Sequence, residues 1–504
     1  MMINIQPIAK FKQLWCLLLL PVFFLLHGYN ENFGLLSLLV VFRLFLFYAL
    51  ITGGVAAIAV LLLRSPAKAT AFSFFLLFLF FFFGAFHDGL KSIAGNRFIS
   101  SYKFLLPFLF ILVVSVFLWL KRTRYQPQRP VVYVRNLLGV LVVFELIMMV
   151  YAALSGKAEE NNLAAGHNAW RQNTACEVEK PDIFFVVFDG YTSSQCLKEE
   201  FSYDNSPTDS TFQANHFFVS KSSRSNYNAT PFSLSSTFEG QYLKPALEKD
   251  KVTSKTFVQA METFRNNHLL SFLKKQGYGV KNFGCFDLKD APLKTDPYFK
   301  DAYSKQIDDQ TLYSRIKRDI GWNFTVKNIF TGTSRIPESY RQNKAYHLYR
   351  NNYNWQALLK ELQTEAEAPR FVYVHLMLPH EPFYLNGDGK EVPDTVVRTL
   401  KEAYLEQVKF SNVLLKQLIP IAAAKSHRPK VVMIEGDHGF RDYDSVTNRN
   451  KEFMNLNAYF FSDQDYNRLY DGISPVNSFR VVLNKYFCLS YPMLRDSSVY
   501  LINN

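Results

Sequence analysis

The sequence predicts an N-terminal bundle of about five transmembrane helices followed by an α/β domain, with a mostly parallel central sheet flanked by helices. Three observations lead there. Five apolar stretches, each close to the roughly 20 residues a helix needs to cross a bilayer, crowd into the first 153 residues. Beyond residue 180 the pattern changes to short continuous apolar runs alternating with longer helical segments. Strands buried on both faces of a parallel sheet look like this. Finally, three of those runs carry Asp or His at their carboxyl ends.

The apolar stretches fall at 12–28, 43–64, 69–87, 103–120 and 133–153. Residues 34–42 are also greasy but too short to span, and they read as an interfacial or re-entrant piece. Counting them as a sixth span would reverse the side of everything that follows. Charge decides between the two counts. Lys10 and Lys12, then Arg64 and Lys68, then Lys121, Arg122, Arg124 and Arg129 all fall on one side if there are five spans, as the positive-inside rule requires. The N-terminus is therefore expected in the cytoplasm and everything after about residue 155 outside it. A cleaved signal peptide is not expected, because further spans follow the first.

Residues 1–153 hold thirteen Lys and Arg against Glu31, Asp88 and Glu145, whereas the rest of the chain is nearly balanced. The basic excess lies between greasy stretches, which excludes a wholly soluble protein and makes nucleic acid a poor partner. Charges inside a membrane are costly. Arg43 is expected to snorkel to the interface and Glu145 to face a polar neighbour between helices. No repeat or pair of broken helices supports a transporter.

The domains expected are therefore 1–154, the membrane part; 155–180, a polar connector; and 181–504, one large extracytoplasmic α/β domain. Of five cysteines, Cys16 sits in a greasy run. Cys176, Cys196, Cys285 and Cys488 allow one or two disulfides that spacing cannot assign, and the absence of a C-x-x-C pair argues against a zinc ribbon.

In the second half, Ile183–Phe188 runs into Asp189-Gly190. Phe371–Val374 runs into His375, with His380 five residues on. Val431–Ile434 runs into Glu435-Gly436-Asp437-His438-Gly439. Helices are expected at 256–275 and 391–420. Sites in open α/β sheets gather at the carboxyl ends of strands. One Asp-Gly is an ordinary turn and one His after a strand is ordinarily structural, but three such strand ends together indicate a metal site. Carboxylates with imidazole suit a divalent metal, zinc or manganese. A metal needs something to activate, and the hydroxyl-rich stretch from Ser220 to Thr230 supplies it. Thr230, with Pro231 behind it, stands at a helix start, where free N–H groups favour an anion. Alone it would be read as a helix cap; beside the metal constellation it is the candidate nucleophile.

These residues resemble the alkaline-phosphatase superfamily. More narrowly, they are similar to its membrane-anchored sulfatase-like branch of lipoteichoic acid synthases and phosphoethanolamine transferases. The resemblance covers nearly the whole chain. It implies that Asp189, Thr230, Asp437 and His438 hold the metal and that Thr230 is the catalytic nucleophile. By similarity to the branch's paired-histidine stretch, HLMLPHEPF puts His375 and His380 at the substrate phosphate, with His380 contacting it or protonating a leaving group. The stretch SPVNSFRVVLNKYF at 474–487 also looks typical of the branch. Departures are Asp189 where the two transferase families usually have Glu, and flanks of Thr230 that match neither family's motif. No C/S-x-P-x-R pattern is present, unlike formylglycine sulfatases, and no Asp stands three or four residues ahead of His380 as is common in two-zinc phosphatases, so the resemblance implies one divalent metal. Arg441 and Asp442, just after GDHG, either orient the site or lie on the surface.

The function expected is transfer of a phospho-group, of phosphoethanolamine or phosphoglycerol type, through a phospho-threonine intermediate. The donor would be a membrane lipid and the acceptor an envelope glycan, lipid or polymer. The alternatives are a phosphate- or sulfate-ester hydrolase with the same site and a non-catalytic envelope protein that kept the fold. The sequons at Asn228 and Asn323 read as chance matches. The source reads as bacterial, with the protein in the cytoplasmic (inner) membrane and its catalytic domain periplasmic or extracellular.

Overall fold

The computed structural model describes residues 14–95, 97–155, 162–164, 170, 176, 178–243, 251–295, 302–320, 338–393, 396–441 and 446–503. The chain divides into two compact units, Met1–Glu160 with Asp301–Ser334, and Asn161–Lys300 with Arg335–Asn504.

The first unit is the membrane part. After a 3-10 turn at Leu14–Leu18 come α1 (Leu19–Glu31), α2 (Leu38–Leu63), α3 (Pro66–Ala94), α4 (Tyr102–Arg122) and α5 (Gln128–Leu154). Among the described residues, five helices are long and apolar enough to cross a membrane. Residues 38–42 differ from the expectation of a separate interfacial piece, for they are the first turns of α2. Ser37 caps that helix by accepting from the Val40 N–H, and no Gly or Pro interrupts 38–52. Arg43 is exposed. Glu145 is buried on α5 and is held by His27 Nδ1 at 2.8 Å and Asn30 Nδ2 at 2.7 Å, both on α1.

Two short helices from far along the chain, Ala302–Asp308 and Leu312–Asp319, belong to this unit. They pack on the ends of α1, α3 and α4 and against Tyr48 of α2. Ile307 lies on Gly28, where an added Cβ would come within 2.9 Å of it. The Gly84 N–H donates to the Gln310 carbonyl at 2.8 Å. Arg315 grips Asp88 with two hydrogen bonds of 2.7 and 2.5 Å. Tyr102 donates to Asp319 at 2.6 Å, and Tyr48 donates to Asp308. These residues lie within the stretch that the sequence reading gave to the catalytic domain.

The second unit is built on a six-stranded sheet. Its strands are β1 (Asp182–Phe188), β2 (Phe218–Val219), β4 (Gly279–Phe283), β5 (Arg370–Leu376), β6 (Lys430–Glu435) and β7 (Asn457–Phe461), in the order β2-β7-β6-β1-β5-β4; β3 (Lys251–Val252) and β8 (Ile502–Asn503) form a separate pair. The pairs β6-β1, β1-β5 and β5-β4 are parallel, and β7 and β2 add antiparallel at one edge.

Side chains alternate across a strand, and here both faces are covered. Phe184, Val186 and Phe188 enter a core with Leu358 and Leu362 of the helix Glu338–Gln363 and Leu415 and Leu418 of the helix Leu400–Ala423. Phe185 points the other way, against Phe238 of the helix Thr230–Glu239 and Phe479 of the helix Pro475–Tyr486. That is why all seven residues of β1 are buried. Cys176 and Cys488 are joined by a disulfide, and Cys16, Cys196 and Cys285 are buried thiols outside it.

Two helices differ from expectation. The segment 256–275 is two helices, Ser254–Arg265 and His268–Lys275, because Asn267 caps the second. In the segment 391–420 the helix starts only at Leu400, behind a capping box of Thr399 and Glu402.

Candidate active site

The three parallel strands at the centre end level with one another. Val187 of β1 pairs with His375 of β5 on one side and with Glu435 of β6 on the other. Asp189 leaves β1 at once, and Gly190 turns the chain with φ +71°, a conformation L side chains rarely adopt. The Gly190 N–H then donates to Asp437 Oδ1 at 3.0 Å, tying the first strand end to the third. Gly436 is required for space: a Cβ there would lie 2.2 Å from the Tyr191 carbonyl oxygen.

Asp189, Asp437 and His438 are brought together and are buried. His438 Nε2 lies 3.4 Å from Asp189 Oδ1 and 3.6 Å from Asp437 Oδ2. His438 Nδ1 faces the Gly439 carbonyl at 2.7 Å and must carry the proton, so Nε2 presents a bare lone pair. Asp189 Oδ1, Asp437 Oδ2 and His438 Nε2 have no hydrogen-bond partner although all three are buried. Buried polar atoms are almost always paired, and three that converge with lone pairs outward fit a cation. His380 Nε2 stands 3.9 Å from Asp189 Oδ1, and ligand atoms of Asp189, His380 and His438 lie within 4.8 Å of one another. His380 Nδ1 faces the Glu381 carbonyl at 2.7 Å, so its Nε2 is likewise the unprotonated nitrogen.

The electrostatics agree. Burial works against the Asp189 anion but is outweighed, with the hydrogen bond from His375 contributing, and its carboxyl is held well below the usual range. Burial, with Arg441 adding to it, pushes His438 down to about 4, keeping the imidazole neutral. Glu435, buried at the end of β6 with a hydrogen bond from Ser478, is pushed up to about 8 by burial.

Thr230 is the first residue of the helix Thr230–Glu239, with Pro231 next and Ala229 as the cap residue. Its hydroxyl does not cap the helix, and it makes no hydrogen bond with any described residue. The other hydroxyls of the helix are committed: Ser233 donates to the Asp437 carbonyl at 2.6 Å, and Ser235, Ser236 and Thr237 donate to other backbone carbonyls. Ser233 thus fixes this helix to the strand end that carries Asp437 and His438.

His375 stands differently from the expectation that it meets the substrate. It is the sixth residue of β5, inside the strand, and is fully buried. Its Nε2 lies 2.9 Å from Asp189 Oδ2, and its Nδ1 is 3.0 Å from the Tyr373 hydroxyl and 3.5 Å from Cys285 Sγ. It therefore backs Asp189 and offers no ring nitrogen to a phosphate. Sequence reasoning missed Tyr373 and Cys285. Tyr373 was legible as the residue two before His375 on the same strand face, whereas Cys285 carried no signal.

Arg441 lies at the site, donating from Nη1 to the Asn228 carbonyl at 3.1 Å and from Nη2 to His380 Nε2 at 2.6 Å. Asp442 and Asn323 are outside the described residues. Asn228 is buried and its amide donates to Glu452 and to the Leu501 carbonyl, so its sequon is closed to a glycan.

Fold and site together define an α/β protein with five candidate membrane spans and a candidate cation site at the carboxyl edge of a parallel sheet. The model of the family described as Sulfatase matches residues 181–475, and the chain belongs to that family. No curated protein matches the chain. Among solved structures it is similar to the integral membrane lipooligosaccharide phosphoethanolamine transferase A of Neisseria meningitidis, at 13% identity and a TM-score of 0.37 over 97% of this chain and 96% of that one. It is also similar to the zinc complex of the periplasmic domain of EptC from Escherichia coli, at 12% identity and 0.37 over 63% and 84%. The periplasmic domain of phosphoethanolamine transferase EptC from Campylobacter jejuni matches at 12% and 0.37 over 62% and 91%.

Proposed function

We propose that the protein transfers a phospho-group, of phosphoethanolamine or phosphoglycerol type, from a membrane lipid to an envelope glycan, lipid or polymer by way of Thr230. The observation that carries this reading is the convergence of three unpartnered buried atoms, of Asp189, Asp437 and His438, beside the helix whose first hydroxyl is uncommitted. Those three residues would hold a divalent metal, zinc or manganese, with Thr230 as a further ligand. Such an ion, when bound, lowers the pKa of a neighbouring hydroxyl and neutralises charge on a phosphoryl oxygen.

Thr230 Oγ1 attacks the phosphorus of the lipid phosphodiester, and the bond from phosphorus to the lipid alcohol breaks. An acceptor hydroxyl then attacks the phospho-threonine and restores Thr230. Free N–H groups at the start of the helix face the developing negative charge. His380, with 12% of its side chain exposed, is the imidazole of the cluster that a substrate reaches. His375 acts one step back, fixing Asp189 through its second oxygen.

The membrane helices support a lipid donor, because they anchor the chain in the bilayer that holds such lipids. Two features support an extracytoplasmic site. The disulfide Cys176–Cys488 belongs in an oxidising compartment. Residues 302–320 pack at the ends of α1, α3 and α4 that lie opposite Arg64, Lys68 and Lys121–Arg129, the side the positive-inside rule assigns to the cytoplasm.

Mass spectrometry of the tryptic peptide beginning at Ser225, from protein purified out of growing cells, tests the reading. A phosphoethanolamine or phosphoglycerol adduct on Thr230, absent from Thr230→Ala, is expected. Release of product by water alone, with no acceptor required, would replace transfer by hydrolysis.

A further inference from the structure

Arg441 is placed where a cation has no structural reason to be. It follows the GDHG turn by two residues, so the strand end that delivers Asp437 and His438 also delivers this guanidinium. Among the described residues no carboxylate lies within ion-pair distance of it. Its two terminal nitrogens reach in different directions, one to the Asn228 carbonyl two residues before Thr230, the other to the lone pair of His380 Nε2. A guanidinium presents donors in a rigid fork that matches the oxygens of phosphate and sulfate. Here one side of that fork is anchored on the nucleophile's own loop. The other rests on a neutral imidazole nitrogen, a weaker partner for a cation than an anionic oxygen.

We propose that Arg441 binds the anionic group that is transferred, and that without substrate its Nη2 is parked on His380. The inference rests on the function proposed above and assigns the anion contact in that site. Nη1, held by the Asn228 carbonyl, keeps the guanidinium beside Thr230. Nη2 moves from His380 Nε2 to a non-bridging oxygen of the phosphoryl or sulfuryl group. The exchange replaces a neutral acceptor by a charged one, and it frees His380 Nε2 at the moment substrate arrives. A lysine cannot reproduce the arrangement, because a single ammonium on a flexible stem cannot be anchored on Asn228 and still present a second, oriented donor.

The test uses the full-length protein in detergent, with zinc and inorganic phosphate as probes, followed by titration calorimetry and by the zinc content after gel filtration. Wild type should bind one equivalent of zinc, and the zinc-loaded protein should bind phosphate. Arg441→Gln should keep its zinc and its unfolding temperature while phosphate binding weakens about tenfold or more, as expected for loss of a charge-assisted hydrogen bond. Arg441→Lys should fall between the two. Phosphate bound equally well by wild type, R441Q and R441K would overturn the inference while leaving the metal site intact. Failure of the wild type to bind zinc would overturn the site itself, and this inference with it.

Discussion

His375 Nε2 lies 2.9 Å from Asp189 Oδ2, and this contact turns the other carboxylate oxygen, Oδ1, toward His438 Nε2 at 3.4 Å. A carboxylate with one oxygen tied from behind and the other bare is oriented for a metal. Loss of such a supporting contact typically costs 10–100-fold in metal affinity. His375→Ala should therefore lower zinc affinity by about that factor, measured by competition with a chromophoric chelator, and should leave Thr230 chemically intact. Unchanged affinity would reduce His375 to core packing.

Gly436 sits against the Tyr191 carbonyl, and Gly436→Ala would put a Cβ 2.2 Å from that oxygen. Backbone must then move, carrying Asp437 and His438 with it. The variant should lose zinc and adduct formation together, although it adds one methyl group and no charge. Full zinc occupancy by elemental analysis would refute this.

Glu435 gives a pH dependence with a definite sign. Burial raises its folded pKa to about 8 from the ordinary 4.5, so between those values the folded protein holds a proton that the unfolded chain has lost. Stability from this group is fully present below about pH 4.5 and is lost as pH rises through about 8. Glu435→Gln should flatten the fall in unfolding temperature between about pH 4.5 and 8, measured on metal-free protein by thermal unfolding.

The clasp between Asp88 and Arg315 is lopsided. The Arg315 side chain is 7% exposed and that of Asp88 is 52% exposed. Asp88→Ala strands a buried guanidinium, whereas Arg315→Ala leaves a carboxylate that water can solvate. Asp88→Ala should thus cost more, by about 1–2 kcal/mol, in detergent unfolding; the reverse order would mean that packing of the Arg315 stem dominates.

What the sequence made legible was set by period and by contiguity. Val431–Ile434 followed by GDHG marked a strand and the turn that carries Asp437 and His438 at its end, because a strand covered on both faces is apolar throughout. His375 was misplaced by the same logic: the apolar run ends at Val374, but hydrogen bonding continues to Leu376. A His that is buried against an Asp looks, in sequence, like one that faces solvent. Arg441 was seen but not placed, since its partners, Asn228 and His380, are 213 and 61 residues away. The helices at 302–320 were invisible as part of the membrane unit because nothing local marks Ile307 or Arg315 as contacts for Gly28 or Asp88.

That return of the chain bears on how the protein can be cut. Severing the connector after α5 would not liberate a self-contained soluble enzyme, because the fragment would still carry Ile307, Arg315 and their neighbours, stripped of the surface they cover. A fragment fit for crystallisation should instead omit 301–334 and bridge the gap with a short Gly/Ser linker. In the intact protein the same crossing makes the chain pass between its two units more than once, so a protease that nicks the connector leaves the catalytic unit still tethered.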